Sequence, residues 1–368
     1  MILPSFLSCC FTSGSAFVTK RFSHGRRHGA AAASSSSSSS TGSYQLKNKR
    51  PLFVDSDVGF DDILAISPLL NTKSNINANS TAYATSIPFI STVGGIQSCP
   101  DRSARFLQKI FPAAKVFPGR AQKPLDDKET PTWLLTFRNG LNGIMDSFDI
   151  GVVNSPRKDS SAEIAEFLKD YEDLGVDLMC LGPLTNIASW INDEHVFPLV
   201  QSKINHVWIM GGNIPGADEA EFNFAQDPRA VATVLGNEAM RNKIRLLPAQ
   251  TCQKCAPSST EWKELMEKGK NGTGIISKVL CATASWDDLK YDPMCAFSYA
   301  MPQSISYSKM HIEVNEETGL LSLSTAVEED GYSTVKIIVD VTIDTEEGFL
   351  NWLSVGIDHY KPIIKLTS

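Results

Sequence analysis

The sequence predicts an α/β fold, an open, mostly parallel sheet with flanking helices. Two patterns carry that expectation. From Pro51 onward short β-rich runs alternate with helical patterns, the sign of strands joined by crossover helices. Several of these runs end in acidic or glycine-rich turns, where open α/β sheets bind ligands. The last third breaks the rhythm: His311-Ile-Glu-Val, Leu321-Ser-Leu-Ser and Val335 to Ile343 alternate in period two, which predicts a small antiparallel appendage near the C-terminus.

The first strand is Leu52-Phe53-Val54, which runs into Asp55-x-Asp57, turns at Gly59 and enters a helix at Asp61-Asp62-Ile-Leu-Ala-Ile. Asn71 to Thr85 is rich in Asn, Ser and Thr, has no periodic pattern and reads as a polar surface insertion. Pro88 to Gly94 gives a second strand, followed by a helix from Pro100-Asp101 to Ile110. Val176 to Leu181 is a further strand and Gly182-Pro-Leu-Thr-Asn-Ile-Ala opens its helix. His206 to Met210 ends in Gly211-Gly212, a helix follows Asp227-Pro228, and Ile244 to Leu247 is a fourth strand of this group. Met294-Cys-Ala-Phe lies on an apolar helix, and Glu346 to Ile357 forms a closing one.

At 368 residues with 42% hydrophobic content the chain can bury a large core, and no linker or repeat divides residues 51 to 368. One catalytic-sized domain is the simplest account. Residues 1 to 50 differ. They hold seven basic residues and no acid, with an unbroken serine run from Ser34 to Ser40 behind four alanines. An Arg-rich, Ser-rich, acid-free leader predicts a transit peptide and an organelle, mitochondrion or plastid. A low-complexity leader without an address, on a cytoplasmic protein, is the plainer alternative.

Without the leader's seven charges the formal charge moves from −7 to −14, which argues against a nucleic-acid partner. No window approaches the roughly 18 apolar residues of a membrane span, so no membrane partner is expected. The eight cysteines lack disulfide-framework spacing, and Cys252-Gln-Lys-Cys255 lacks the further ligands that zinc needs, so two ordinary thiols are expected.

Residues 54 to 62 put Asp55, Asp57, Asp61 and Asp62 into nine positions. Like charges at this density raise one another's pKa unless a hard cation, hydrogen bonds or water keeps them ionised. A helix N-terminus favours acids in its first turn, which accounts for one or two of them but leaves the rest. Gly211-Gly-Asn-Ile-Pro-Gly216 permits close backbone approach to a ligand. Glu221 and Asn223 can face one way across an extended stretch, presenting an acceptor and an amide to sugar hydroxyls, or they can cap a loop. Asp292, in Tyr291-Asp292-Pro293, can be a ligand or the N-cap of its helix.

Together, Asp57-x-Gly59-x-Asp61-Asp62, the Gly182-Pro-Leu-Thr-Asn turn, Met210-Gly-Gly with Glu221-Phe-Asn223 and Asp227-Pro228, and the late Asp292 resemble the nucleoside hydrolases, calcium-dependent N-ribosyl hydrolases. The resemblance runs in order from about residue 51 to the C-terminus. It implies that Asp57, Asp62 and Asp292 bind Ca2+ with the Leu181 carbonyl, and that Asp61, Met210, Glu221 and Asn223 hold the ribose. It also implies that Asp57 is the general base, taking a proton from a calcium-bound water that attacks C1′. The implied partner is a small-molecule nucleoside, and the implied assembly a homo-oligomer, dimer or tetramer.

The chain departs from the family at several points. Tyr291 stands where many members have the histidine credited with protonating the leaving base, and an aromatic there implies contact with the base. Ile96 replaces a sugar-contacting asparagine, Asn139 precedes Gly140 where a histidine is frequent, and Gly216-Ala217 lacks the usual Gly-Asn. Two rivals stay open. A metal- and ribose-binding paralogue with impaired turnover accounts for those departures. A haloacid-dehalogenase-like phosphatase also starts with Asp-x-Asp after a strand, but the adjacent Asp61-Asp62 argues against it.

Overall fold

The computed structural model describes residues 50–70, 85–121, 130–148, 160–271, 275–282, 289–324, 334–343 and 348–359. The leader up to residue 49 and the polar insertion at 71–84 lie outside the described residues. Eight strands form one sheet in the order β3-β2-β1-β4-β5-β6-β10-β7. They are β1 (Leu52–Ser56), β2 (Phe89–Thr92), β3 (Lys115–Pro118), β4 (Val176–Cys180), β5 (Ile204–Met210), β6 (Ile244–Leu247), β7 (Ile305–Met310) and β10 (Val335–Val341). Strands β8 (Ile312–Val314) and β9 (Leu321–Leu323) pair antiparallel in a separate two-stranded sheet.

All ladders of the large sheet are parallel except β10 with β7. The order reverses at β1, since β2 and β3 build out on one side and β4 to β6 on the other. That reversal leaves a crevice beyond the carboxyl ends of β1 and β4. Strands buried on both faces read as continuous apolar runs. Leu52 and Val54 point into one core, under the helices Phe60–Leu70, Pro100–Ile110, Tyr291–Ala300 and Phe349–His359. Phe53 points into the other, under Ser160–Lys169, Thr185–Asn192 and Pro228–Gly236.

The expected appendage is smaller than its period-two pattern suggests. Only β8 and β9 form it, while β10 enters the large sheet beside β6, with Lys336 opposite Arg245 and Ile337 opposite Leu246. Alternation reports which face is buried and does not choose the partner strand. Several elements went unannounced, among them β3, a four-residue edge strand ending in Pro118, β7, and the helices Thr132–Asp146, Ser160–Lys169, Ser259–Lys270 and Ile275–Ala282. The first of these helices carries Asn139, Gly140, Asn142 and Gly143, poor helix formers that hide its period.

Pro68 lies inside the helix Phe60–Leu70, and the helix Phe349–His359 meets it at Gly356, where a Cβ would fall 2.5 Å from the Pro68 Cγ. Neither backbone can move without disturbing its core, so Gly356→Ala is expected to destabilise the protein by about 1–3 kcal/mol through overpacking. A urea or thermal melt measures this. An unchanged midpoint would show that the two helices do not touch there.

Candidate active site

The turn that leaves β1 is strained and held from several sides. Val58 is buried with φ at 63°, a conformation costly for a β-branched residue. Its N–H donates to the Ser56 Oγ at 3.1 Å, and the Gly59 N–H donates to the Asp62 Oδ2 at 2.7 Å. The Ser56 hydroxyl donates to the other Asp62 oxygen. This clamp aims Asp57, Asp61 and Asp62 together past the end of β1, with Asp61 and Asp62 in the first turn of the following helix.

Asp292 reaches the same place from the other end of the chain. Carboxylate oxygens of Asp61, Asp62 and Asp292 all lie within 4.8 Å of one another. Asp57 lies beside this group, near enough that its charge acts on Asp62 and Asp292. Asp292 sits in the first turn of Tyr291–Ala300 and makes no capping bond, because Lys290 holds the N-cap position. Burial pushes the Asp57 carboxyl up to about 6, and holds those of Asp62 and Asp292 well above the usual carboxylate range. The charges felt by Asp62 and Asp292 are other aspartates, which raise them further. Buried carboxyls this close to one another need either protons or a cation among them. A hard, all-oxygen donor set of this density fits a divalent metal of the calcium or magnesium kind.

The other predicted residues surround this group. Leu181 follows the last residue of β4, and its carbonyl accepts from the Asn223 Nδ2 at 3.1 Å. The next residue, Gly182, packs so closely that a Cβ there would lie 2.8 Å from the Asp57 Cβ. Met210 closes β5, and its carbonyl also faces the Asn223 amide, at 3.3 Å. Glu221 and Asn223 are not on an extended stretch. Glu221 caps the short helix Phe222–Gln226, accepting from Asn223 and Phe224 N–H groups and from the Gly212 N–H at 2.9 Å. Capping is therefore one of its roles, and burial raises its carboxyl to about 7. Asp227 likewise caps Pro228–Gly236 and accepts from the Thr185 hydroxyl at 2.7 Å. Tyr291 is half-buried at the rim, with its hydroxyl 3.3 Å from the Gln253 amide and the Lys290 ammonium 5.5 Å from its ring centroid.

Sequence reasoning gave no role to Asn186 and Arg138, and it grouped Asp55 with the clustered carboxylates. Asn186, the last residue of the Gly-Pro-Leu-Thr-Asn turn, donates to the Asp55 Oδ1 at 2.7 Å and to the Thr92 carbonyl at 3.1 Å, tying β1, β2 and β4 together under the site. Asp55 is fully buried, and desolvation raises its carboxyl to about 7. It faces this structural network and stands apart from the converging aspartates. The signal for Asn186 was its amide in a turn directly after a buried strand.

Residues 52–348 match the family model described as inosine-uridine preferring nucleoside hydrolase. Uridine nucleosidase 1 of Arabidopsis thaliana is 33% identical over 201 residues, which span 51% of this chain and 54% of that protein, about half the length of each. The non-specific ribonucleoside hydrolase RihC of Escherichia coli is 25% identical over 317 residues, 83% of this chain and 97% of that one. Among solved structures, the inosine-uridine preferring nucleoside hydrolase from Bacillus anthracis superposes with a TM-score of 0.62 at 18% identity, covering 84% of this chain and 99% of the other. At that identity the superposition speaks for the fold.

Proposed function

The chain belongs to the inosine-uridine preferring nucleoside hydrolase family, and on that premise we propose that it hydrolyses the N-glycosidic bond of ribonucleosides to free base and ribose, with Asp57 as the general base. The observation that carries this reading is the convergence of Asp61, Asp62 and Asp292 beside Asp57, across more than two hundred residues of chain. Asp57, Asp62, Asp292 and the Leu181 carbonyl would hold a calcium ion, with Asp61 adjoining. When bound, calcium would orient water and sugar hydroxyls and make that water more acidic.

The remaining chemistry rests on the chain's own residues. Asp57 takes a proton from the attacking water. The surrounding carboxylates stabilise positive charge that develops on the ribosyl ring as the base departs. Asp61, Met210, Glu221 and Asn223 line the sugar side. Glu221 and Asn223 are fixed by hydrogen bonds before substrate arrives, which reduces the entropy lost on binding. Chromatography of free base and ribose from inosine, adenosine, guanosine, uridine, cytidine and xanthosine, with calcium present, tests the proposal. Calcium binding with no base released from any of them would favour the impaired paralogue, for which Ile96, Asn139 and Tyr291 speak.

Tyr291 stacks on the leaving base in this proposal. A phenol with a reference pKa near roughly 10 is a weaker proton donor at neutral pH than imidazolium, so an aromatic face is its larger contribution. Purine nucleosides gain more from it. Tyr291→Ala is expected to lower kcat/KM on inosine roughly tenfold and on uridine less, while Tyr291→Phe keeps most activity on both. Equal damage from Phe and Ala would assign the work to the hydroxyl.

The basic, acid-free residues 1 to 50 support import into an organelle. Fusion of this segment to a fluorescent protein tests that address, and diffuse cytoplasmic signal would refute it.

A further inference from the structure

The helix Thr132–Asp146 carries a cation aimed at the site from a direction that no site motif announces. Arg138 is half-buried and donates twice to one short loop: its Nε to the Ile96 carbonyl at 2.6 Å and one Nη to the Gly95 carbonyl at 2.9 Å. That loop touches Asp57 at three points. The Ile96 N–H donates to the Asp57 Oδ2 at 2.8 Å, and the Gln97 N–H to the Asp57 backbone carbonyl at 3.2 Å. Gly95 lies so near that a Cβ on it would fall 2.2 Å from the same Oδ2. The loop therefore fixes the rotamer of Asp57 through its backbone, and Arg138 fixes the loop.

We propose that Arg138 is a positioning residue for the Asp57 carboxylate, acting through the Gly95–Ile96 peptide as a two-point clamp. The proposal rests on Asp57 being the base. It also gives Ile96 a job: its side chain cannot hold a sugar hydroxyl, but its N–H holds the carboxylate, so a loop that lost a substrate contact keeps a mechanical one. Two donors in the rigid fork of a guanidinium fit two successive carbonyls, a match that lysine reproduces only in part. The same helix is anchored elsewhere by Arg102, which donates to Asn142 and Asp146 without touching the loop, and by Phe137 against Phe60.

The test compares Arg138→Ala, Arg138→Lys and Arg102→Ala in the full chain with calcium present. A misplaced base slows the chemical step and leaves ground-state binding nearly intact. Arg138→Ala is expected to lower kcat at least about tenfold with KM within about threefold, Arg138→Lys to recover part of kcat, and Arg102→Ala to leave both unchanged. Amide hydrogen exchange of the metal-free protein provides a readout independent of turnover: exchange at Ile96 and Gln97 should quicken at least about tenfold in Arg138→Ala and not in Arg102→Ala. Wild-type kcat in Arg138→Ala overturns the proposal, as does a rise in KM alone, which would make Arg138 a substrate contact. If Arg138→Ala does not fold, the Lys variant decides by the same kcat and exchange criteria. If the wild type releases no base, the functional reading fails by itself, and the exchange result alone decides whether the clamp exists.

Discussion

Asp57→Asn is expected to lower turnover by at least about a thousandfold without unfolding the protein. The amide keeps the shape of the carboxylate but can neither accept a proton from water nor offer a cation a negative charge. The fold should tolerate the change because Asp57 is buried among other carboxyls, where its charge is unfavourable in the metal-free chain. The direction can be checked against pH. Burial pushes the folded Asp57 carboxyl up to about 6, above the ordinary aspartate range, so ionising it opposes folding, and its contribution to metal-free stability declines as pH rises through that window. Asn removes that dependence. Thermal melts with and without calcium separate Asp57's two proposed roles: if it is also a ligand, the calcium-induced rise in Tm shrinks in Asp57→Asn, and if it is only the base, the rise persists while turnover is lost. Turnover near the wild-type rate would remove Asp57 from the mechanism.

How far the site was legible in the sequence depended on how each residue does its work. Asp57, Asp61 and Asp62 are close in the chain, so their crowding was visible as a charge anomaly. Asp292 could be joined to them only by family resemblance, since no local pattern shows that its helix starts beside β1. Glu221 shows the limit of reading roles from residue types. The sequence offered a sugar ligand or a cap, and the structure shows the cap. Arg138 lay beyond reach for a physical reason. It acts on two backbone carbonyls, and backbone partners leave no trace in residue identity. The sheet was read well where strands are buried on both faces, as in β1 and β4, and poorly at β3 and β10, whose burial patterns are mixed and whose partners depend on the whole topology.

Gly95→Ala should lower kcat by about a hundredfold or more while altering no ionisable group. A Cβ on Gly95 would stand 2.2 Å from the Asp57 Oδ2, 2.7 Å from its Cβ and 2.8 Å from its Cγ, all closer than real carbon contacts allow. Asp57 cannot retreat easily, because a Cβ-sized space on its other flank is already taken by Gly182, itself packed against the Asp57 Cβ and backbone N. Either the Gly95–Ile96 loop lifts, breaking the Ile96 N–H bond to the carboxylate, or the carboxylate turns away from the other aspartates. A shift on the order of 1 Å at a catalytic group is worth about a hundredfold in rate, so kcat should drop by that much or more. Overpacking should also take about 1–3 kcal/mol from stability. Gly143→Ala is the matched control: it lies on the exposed side of the helix Thr132–Asp146 with nothing within 4 Å of its added methyl, so it should leave kcat unchanged and stabilise the helix by up to about 1 kcal/mol. Opposite signs for two Gly→Ala changes separate a steric effect on Asp57 from a general response to added bulk. Wild-type kcat in Gly95→Ala would mean that the loop does not bear on the carboxylate, and the clamp assigned to Arg138 would lose its point of action.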